Sequence, residues 1–210
     1  MCADRLLRVY WKSTMNPNAI LRFRSVAVPL SLFLAFSPPL LFSLGAFAQE
    51  KAIAPEKNPP GDIPDSQVFV VFHSRLGVSL KVPEGWARKE AAGGFSFADK
   101  YGEIAVSTRP GPPPTAASVR AADAPDMEKT GRAIKISTIV GVNLPVGPAV
   151  RVDYTENSEA NAVTGKQIRL ESARFFIGHG GDVATVTFSA PAGADNADQW
   201  KLMIDSFRWK

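Results

Sequence analysis

The chain is expected to fold as an α+β domain, a central antiparallel sheet flanked by helices in an α/β/α sandwich. Three observations predict it. Apolar residues recur at period two through most of the chain, the mark of half-buried strands. Short polar turns join several of these segments, and links of that length connect only antiparallel neighbours. Helical apolar spacing is confined to two places, which suits helices packed on the faces of one sheet.

The strands come in order. Val78, Leu80 and Val82 alternate with Ser79 and Lys81; Val150, Val152 and Tyr154 alternate with Arg151 and Asp153; Ala184, Val186 and Phe188 alternate with Thr185 and Thr187. Residues 68–72, 95–98, 104–108, 134–140 and 166–177 carry the β-branched and aromatic residues that a pleated surface favours. The turns "DKYG" at 99–102 and "GHGG" at 178–181 are the tightest connections.

A helix is expected over 195–207, where Ala197, Trp200, Ile204 and Phe207 share one face. Asp195 or Asn196 can cap it, Gln199 stands three residues after Asn196 as in a capping box, and Asp198 suits the helix dipole. A second helix opens at Thr115 or Ser118 and runs to Pro125 or shortly beyond.

The N-terminus reads as an export signal over 1–48. Arg22 and Arg24 precede an apolar run that ends in Ala46-Phe47-Ala48, the small-x-small pattern a signal peptidase accepts. Cleavage is expected at Ala48–Gln49, giving a periplasmic or secreted chain, and Met15 is an alternative start. Residues 25–47 are also long enough to span a bilayer as a retained anchor, against which Pro38-Pro39 would break such a helix near its middle. Membrane contact is expected only through this segment, if it is left uncut. Residues 49–65 place Pro55, Pro59, Pro60 and Pro64 among charges, a composition that favours extended, solvated chain, and form a Pro-rich linker to a single domain over 66–210.

Charge and cysteine usage narrow the function. The net charge of +4 comes entirely from the leader, where five basic residues face one acid, and the remainder balances 19 against 19. No basic stripe marks the folded part, so nucleic-acid binding is not expected. The single cysteine is Cys2, so a mature chain has no disulfide, thiolate nucleophile or cysteine-ligated zinc. His73 and His179 are the only histidines and stand in separate segments. No metal or cofactor site is expected.

The glycines of "GHGGD" precede alternating "VATVTFS". A phosphate-cradling loop would instead open a helix. Strand, turn, strand is the reading, with Gly178, Gly180 and Gly181 supplying positive φ angles and His179 a solvated turn residue. One catalytic alternative has a concrete form. "GFSFA" at 94–98 approaches the Gly-x-Ser-x-Gly elbow, and the order Ser96, Asp153, His179 is the hydrolase order, which would make a small-molecule hydrolase using Ser96 and His179. Against it, Phe95 and Phe97 flank Ser96 at period two, and a turn rather than a helix follows.

Four pieces carry a family resemblance: "LGVSLKVPEGW" at 76–86, "VGPAVRVDY" at 146–154, the hairpin "RLESARFFIGHGGDVATVTFSAP" at 169–191 and "WKLMIDSF" at 200–207. In this order they resemble the PsbP-like family, which includes DcrB-type bacterial envelope proteins, across nearly the whole of 66–210. The resemblance implies an antiparallel sheet between helices. Plant members are extrinsic subunits of the oxygen-evolving photosystem and others assist assembly of such complexes, but no functional residue transfers, because the matching positions are structural. The expected function is a non-catalytic accessory or interaction module of the cell envelope, whose partner is another envelope protein or complex.

Overall fold

The computed structural model describes residues 50–210. The expected signal segment and its cleavage point lie outside them. The strands are β1 (Phe69–His73), β2 (Val78–Pro83), β3 (Ala87–Ala91), β4 (Gly94–Ala98), β5 (Glu103–Pro110), β6 (Lys135–Leu144), β7 (Gly147–Asn157), β8 (Arg169–His179), β9 (Asp182–Pro191) and β10 (Arg208–Trp209). Seven form a large sheet in the order β3-β4-β5-β9-β8-β7-β6; β1, β2 and β10 form a second, smaller one. All pairings are antiparallel. The α+β class and the central antiparallel sheet are thus as expected. The second sheet with its strand β10, and the edge strand β3 of the large sheet, are not part of the sequence expectation.

Alternation along the strands divides the large sheet into two dissimilar faces. One cross-strand row runs Phe97, Ile104, Phe188, Ala173, Asp153, and the next runs Ser96, Ala105, Thr187, Arg174, Val152. Successive residues of a strand point to opposite sides. The first row therefore belongs to the face that packs on Leu80 and Val82 of β2 and on Met203, Ile204 and Phe207. We call this the inner face. The second row belongs to the outer face, where Val150, Val152, Tyr154 and Phe176 meet Val119 and Met127.

The outer-face cover is a helical segment made of α1 (Ala116–Ser118), a π-helical turn (Val119–Asp123) and α2 (Ala124–Thr130). Thr115 caps it reciprocally with Ser118. Pro125 does not end it. Having no N–H, Pro125 cannot continue the α-helical ladder, and the chain widens by one residue, Ala124 N–H bonding Val119 O, before resuming as α2.

On the inner face, α3 (Ala197–Asp205) presents Trp200, Met203 and Ile204, followed by Phe207, whereas Ala197 is exposed. Its expected capping box is absent. The Asn196 side chain is turned away to accept the N–H of Ile63 at 2.7 Å and to donate to Gly61 O at 3.0 Å, and Gln199 donates to Asp65.

Those bonds bear on the linker reading. Residues 50–65 are extended, as their prolines require, but they are not a solvated tether: they lie as a strap along the domain. Asn157, buried at the end of β7, accepts the N–H of Ile53 and donates to Lys51 O. Ile63 is buried in the inner core, and Glu56 pairs with Lys166. Each buried amide clasp contributes about 1 kcal/mol net, and more is lost if its partner is left unsatisfied. Together with the burial of Ile63, these bonds dock a segment whose prolines lower the entropy of the free chain.

Candidate functional site

The hydrolase set does not assemble. Ser96, half-buried mid-strand in β4, lies on the outer face, opposite Ala105 and Lys89. Asp153 lies on the inner face, opposite Ala173. His179 shares the inner face but stands six residues along β8 from Ala173, about 20 Å at the rise of a strand. A nucleophile and base must come within hydrogen-bond reach, and a sheet separates this pair.

His179 is also not a turn residue. It is the last paired residue of β8, opposite Asp182, and its ring stacks on Trp209 with centroids 5.5 Å apart. The turn is Gly180-Gly181 alone, with φ of 59° and 92°, the two positive values a type I′ hairpin needs. Gly178 lies within the strand and has no positive φ; a Cβ there would stand 2.8 Å from Pro114 Cδ and 2.9 Å from Pro113 Cα, so the Pro-rich loop passes directly over it. Among the described residues no group of three or more His, Cys, Asp or Glu is placed to hold a metal ion, and no helix is long and apolar enough to cross a membrane.

What the inner face does offer is a groove of about 650 Å³. α3 covers β8 and β9, where Trp200 stacks on Phe188 at 5.9 Å, and the sheet continues past it through β7 and β6. The floor is Phe175, Ala173 and the Arg151–Asp153 pair, one wall is Trp200 and Ile204, and the other is Val142 and Leu144 of β6. Arg151 lies over the Phe175 ring at 5.7 Å and donates to Asp153 at 2.7 Å. Val140 faces the same side opposite Arg151 and is 41% exposed.

Charge is unevenly distributed along this groove. In the middle Arg151 and Asp153 neutralise each other, and along the wall Lys201 pairs with Asp205 one turn later. At the end beside the start of α3 stand Glu171, Asp195 and Asp198, none of them in an ion pair among the described residues. Partial burial holds the Glu171 carboxyl above its usual range, opposed by the N–H of Gly193 that it accepts at 3.2 Å. The other carboxyl raised by burial, Glu156, is on the outer face, and the nearby Arg174 guanidinium offsets part of that rise.

With this geometry in hand, the chain can be set beside known proteins. No family model and no curated protein matches it. Among solved structures, cyanobacterial PsbP from Synechocystis sp. PCC 6803 matches at 14% identity over 71% of this chain and 98% of that one, with a TM-score of 0.49. The chain is similar to PsbP-like proteins. LpqN of Mycobacterium tuberculosis, described as involved in cell envelope biogenesis, matches at 14% identity over 69% and 91%, TM-score 0.40. A Bacteroides thetaiotaomicron protein matches at 14% over 64% of this chain, TM-score 0.40, and the chain spans only 45% of its length.

No residue of the groove stands out in the sequence. Val142, Arg151, Glu171 and Trp200 belong to four separate elements; Arg151, Glu171 and Trp200 read as ordinary strand or helix positions, and Val142 lies just past the expected strand over 134–140. Only the pairing of β6 with β7 and of β7 with β8 brings them together.

Proposed function

We infer that the chain is an exported accessory domain of the cell envelope, which works by holding another envelope protein or complex and not by carrying out chemistry. The observation that carries this reading is the groove beside α3. It is an open, partly apolar surface continuous with an exposed strand edge, where binding sites are commonly found. Export is supported by Arg22, Arg24 and the apolar run ending Ala46-Phe47-Ala48, and the product of cleavage would be periplasmic or secreted. Contact with the membrane would then be limited to residues 25–47 in any uncut fraction.

The test has two parts. Mass determination of the N-terminus from cells is expected to find chains beginning at Gln49; intact residues 25–47 in all of them would place the domain on an anchor. Ser96→Ala and His179→Ala are expected to leave partner binding and cellular function unchanged. Loss of a measurable hydrolytic activity in either variant would replace this reading with the enzyme.

A further inference from the structure

The groove has a direction. At the end near Val142, Leu144 and Ile204 its walls are apolar, and its local charges are already paired. At the end near the start of α3, Glu171, Asp195 and Asp198 present carboxylates that are in no ion pair among the described residues. From Thr155 of β7 to Val142 of β6, which lies opposite Ala149, the lining spans six steps along the strands, about 20 Å, which is the length of about six residues of extended chain. A compact small molecule would leave most of that length empty. An anionic ligand would meet carboxylates held in no ion pair, a repulsion that the partly desolvated setting of Glu171 strengthens.

We propose that this groove takes an extended polypeptide segment of a partner, basic at one end and apolar at the other, with its cationic side chains against Glu171, Asp195 and Asp198 and its apolar side chains against Val142, Leu144 and Ile204. The proposal rests on the interaction-module reading and gives it a ligand class. Long cationic side chains suit the acidic end because their aliphatic stems can pack on Trp200 while the charged heads stay hydrated. The open side above Val140 and β6 lets a strand lie down without threading.

The test uses the chain from Gln49 onward and a fluorescein-labelled probe peptide, acetyl-Lys-Arg-Ser-Val-Leu-Val-Leu-Ser, read by anisotropy. Its counterparts replace Lys-Arg by Glu-Glu, or the four apolar residues by serine. Both counterparts are expected to bind at least tenfold more weakly. In the protein, the Asp195→Asn/Asp198→Asn double change, at exposed positions, is expected to weaken the basic probe at least tenfold and to erase most of its advantage over the acidic one. Ala87→Lys, at the far end of the sheet, is expected to change nothing.

Equal binding of basic and acidic probes, no binding of any probe, or the same loss with Ala87→Lys would overturn the proposal. Spermidine competing as well as the probe would overturn the polypeptide assignment. None of these outcomes touches the interaction-module reading, which fails instead on activity lost with Ser96→Ala or His179→Ala.

Discussion

The two ends of the seven-stranded sheet are built to opposite purposes. At the β3 end the inner face is filled: Phe72 of the small sheet meets Phe95 and Phe97 edge-to-face with centroids 5.0 Å away, and those two rings lie 6.1 Å from each other. The edge strand there reads Ala-Arg-Lys-Glu-Ala and is exposed throughout. Charges on an edge resist pairing with another chain, and Arg88 also lies over the Phe72 ring at 5.3 Å. At the β6 end the described residues leave the inner face open beside α3, and the edge strand carries one charge, Lys135, in ten residues. A sheet closed at one end and open at the other teaches where a partner has room: the second sheet and the charged edge exclude it from β3, and the same elements stop short of β6.

The largest effect should come from breaking the closed end. Phe97→Ala removes a buried ring from the aromatic trio and is expected to cost about 3–5 kcal/mol in urea unfolding, the usual range for such truncations, while leaving probe binding in the folded fraction unchanged. A cost under about 1 kcal/mol would mean that this end is not held by packing.

Next comes the strap, which crosses from Asn157 to Asn196. Asn196→Ala leaves the N–H of Ile63 and the carbonyl of Gly61 without their partner and is expected to cost about 1–3 kcal/mol. It should also raise proteolysis within residues 50–65. Unchanged protection there would show that the strap is held by Ile63 burial alone.

The open end should tolerate change. Val140→Lys is expected to shift stability by no more than about 0.5 kcal/mol, as at other exposed sites. A larger loss would mean that Val140 is packed and the end is not open.

The smallest effect is a slope with pH, and it lies on the outer face. Burial raises the Glu156 pKa above its ordinary 4.5 in the folded chain. As pH climbs from about 4.5, the unfolded chain loses this proton first, so the contribution of Glu156 to stability is full below that pH and falls as pH rises through the raised value. Glu156→Gln should flatten the curve in that window. An unchanged slope, followed by urea midpoints across the window, would remove Glu156 as its source.

Much of the fold was legible because most strands have one buried face, so Val150, Val152, Tyr154 and their like announce themselves by alternation. β3 escaped for the converse reason: an edge strand with neither side buried has no apolar row to read. The strap escaped because its prolines and charges have the composition of a linker, and what docks it is two side-chain amides, Asn157 and Asn196, more than 100 residues away in sequence from the strap atoms they bond. Asn196 looked like a helix cap, and a cap and a clasp use the same amide group. The turn glycines Gly180 and Gly181 were legible by type, whereas the role of Gly178 depends on where Pro113 and Pro114 pass. The groove had no local signal, since it exists only where four elements meet.

The most direct measurement places a photo-crosslinking residue at Val140 or at Ala87, in the chain expressed in its own cells, and compares the adducts after irradiation. The account predicts a discrete partner adduct from position 140 and none from position 87. An adduct from position 87 with none from position 140 would contradict it.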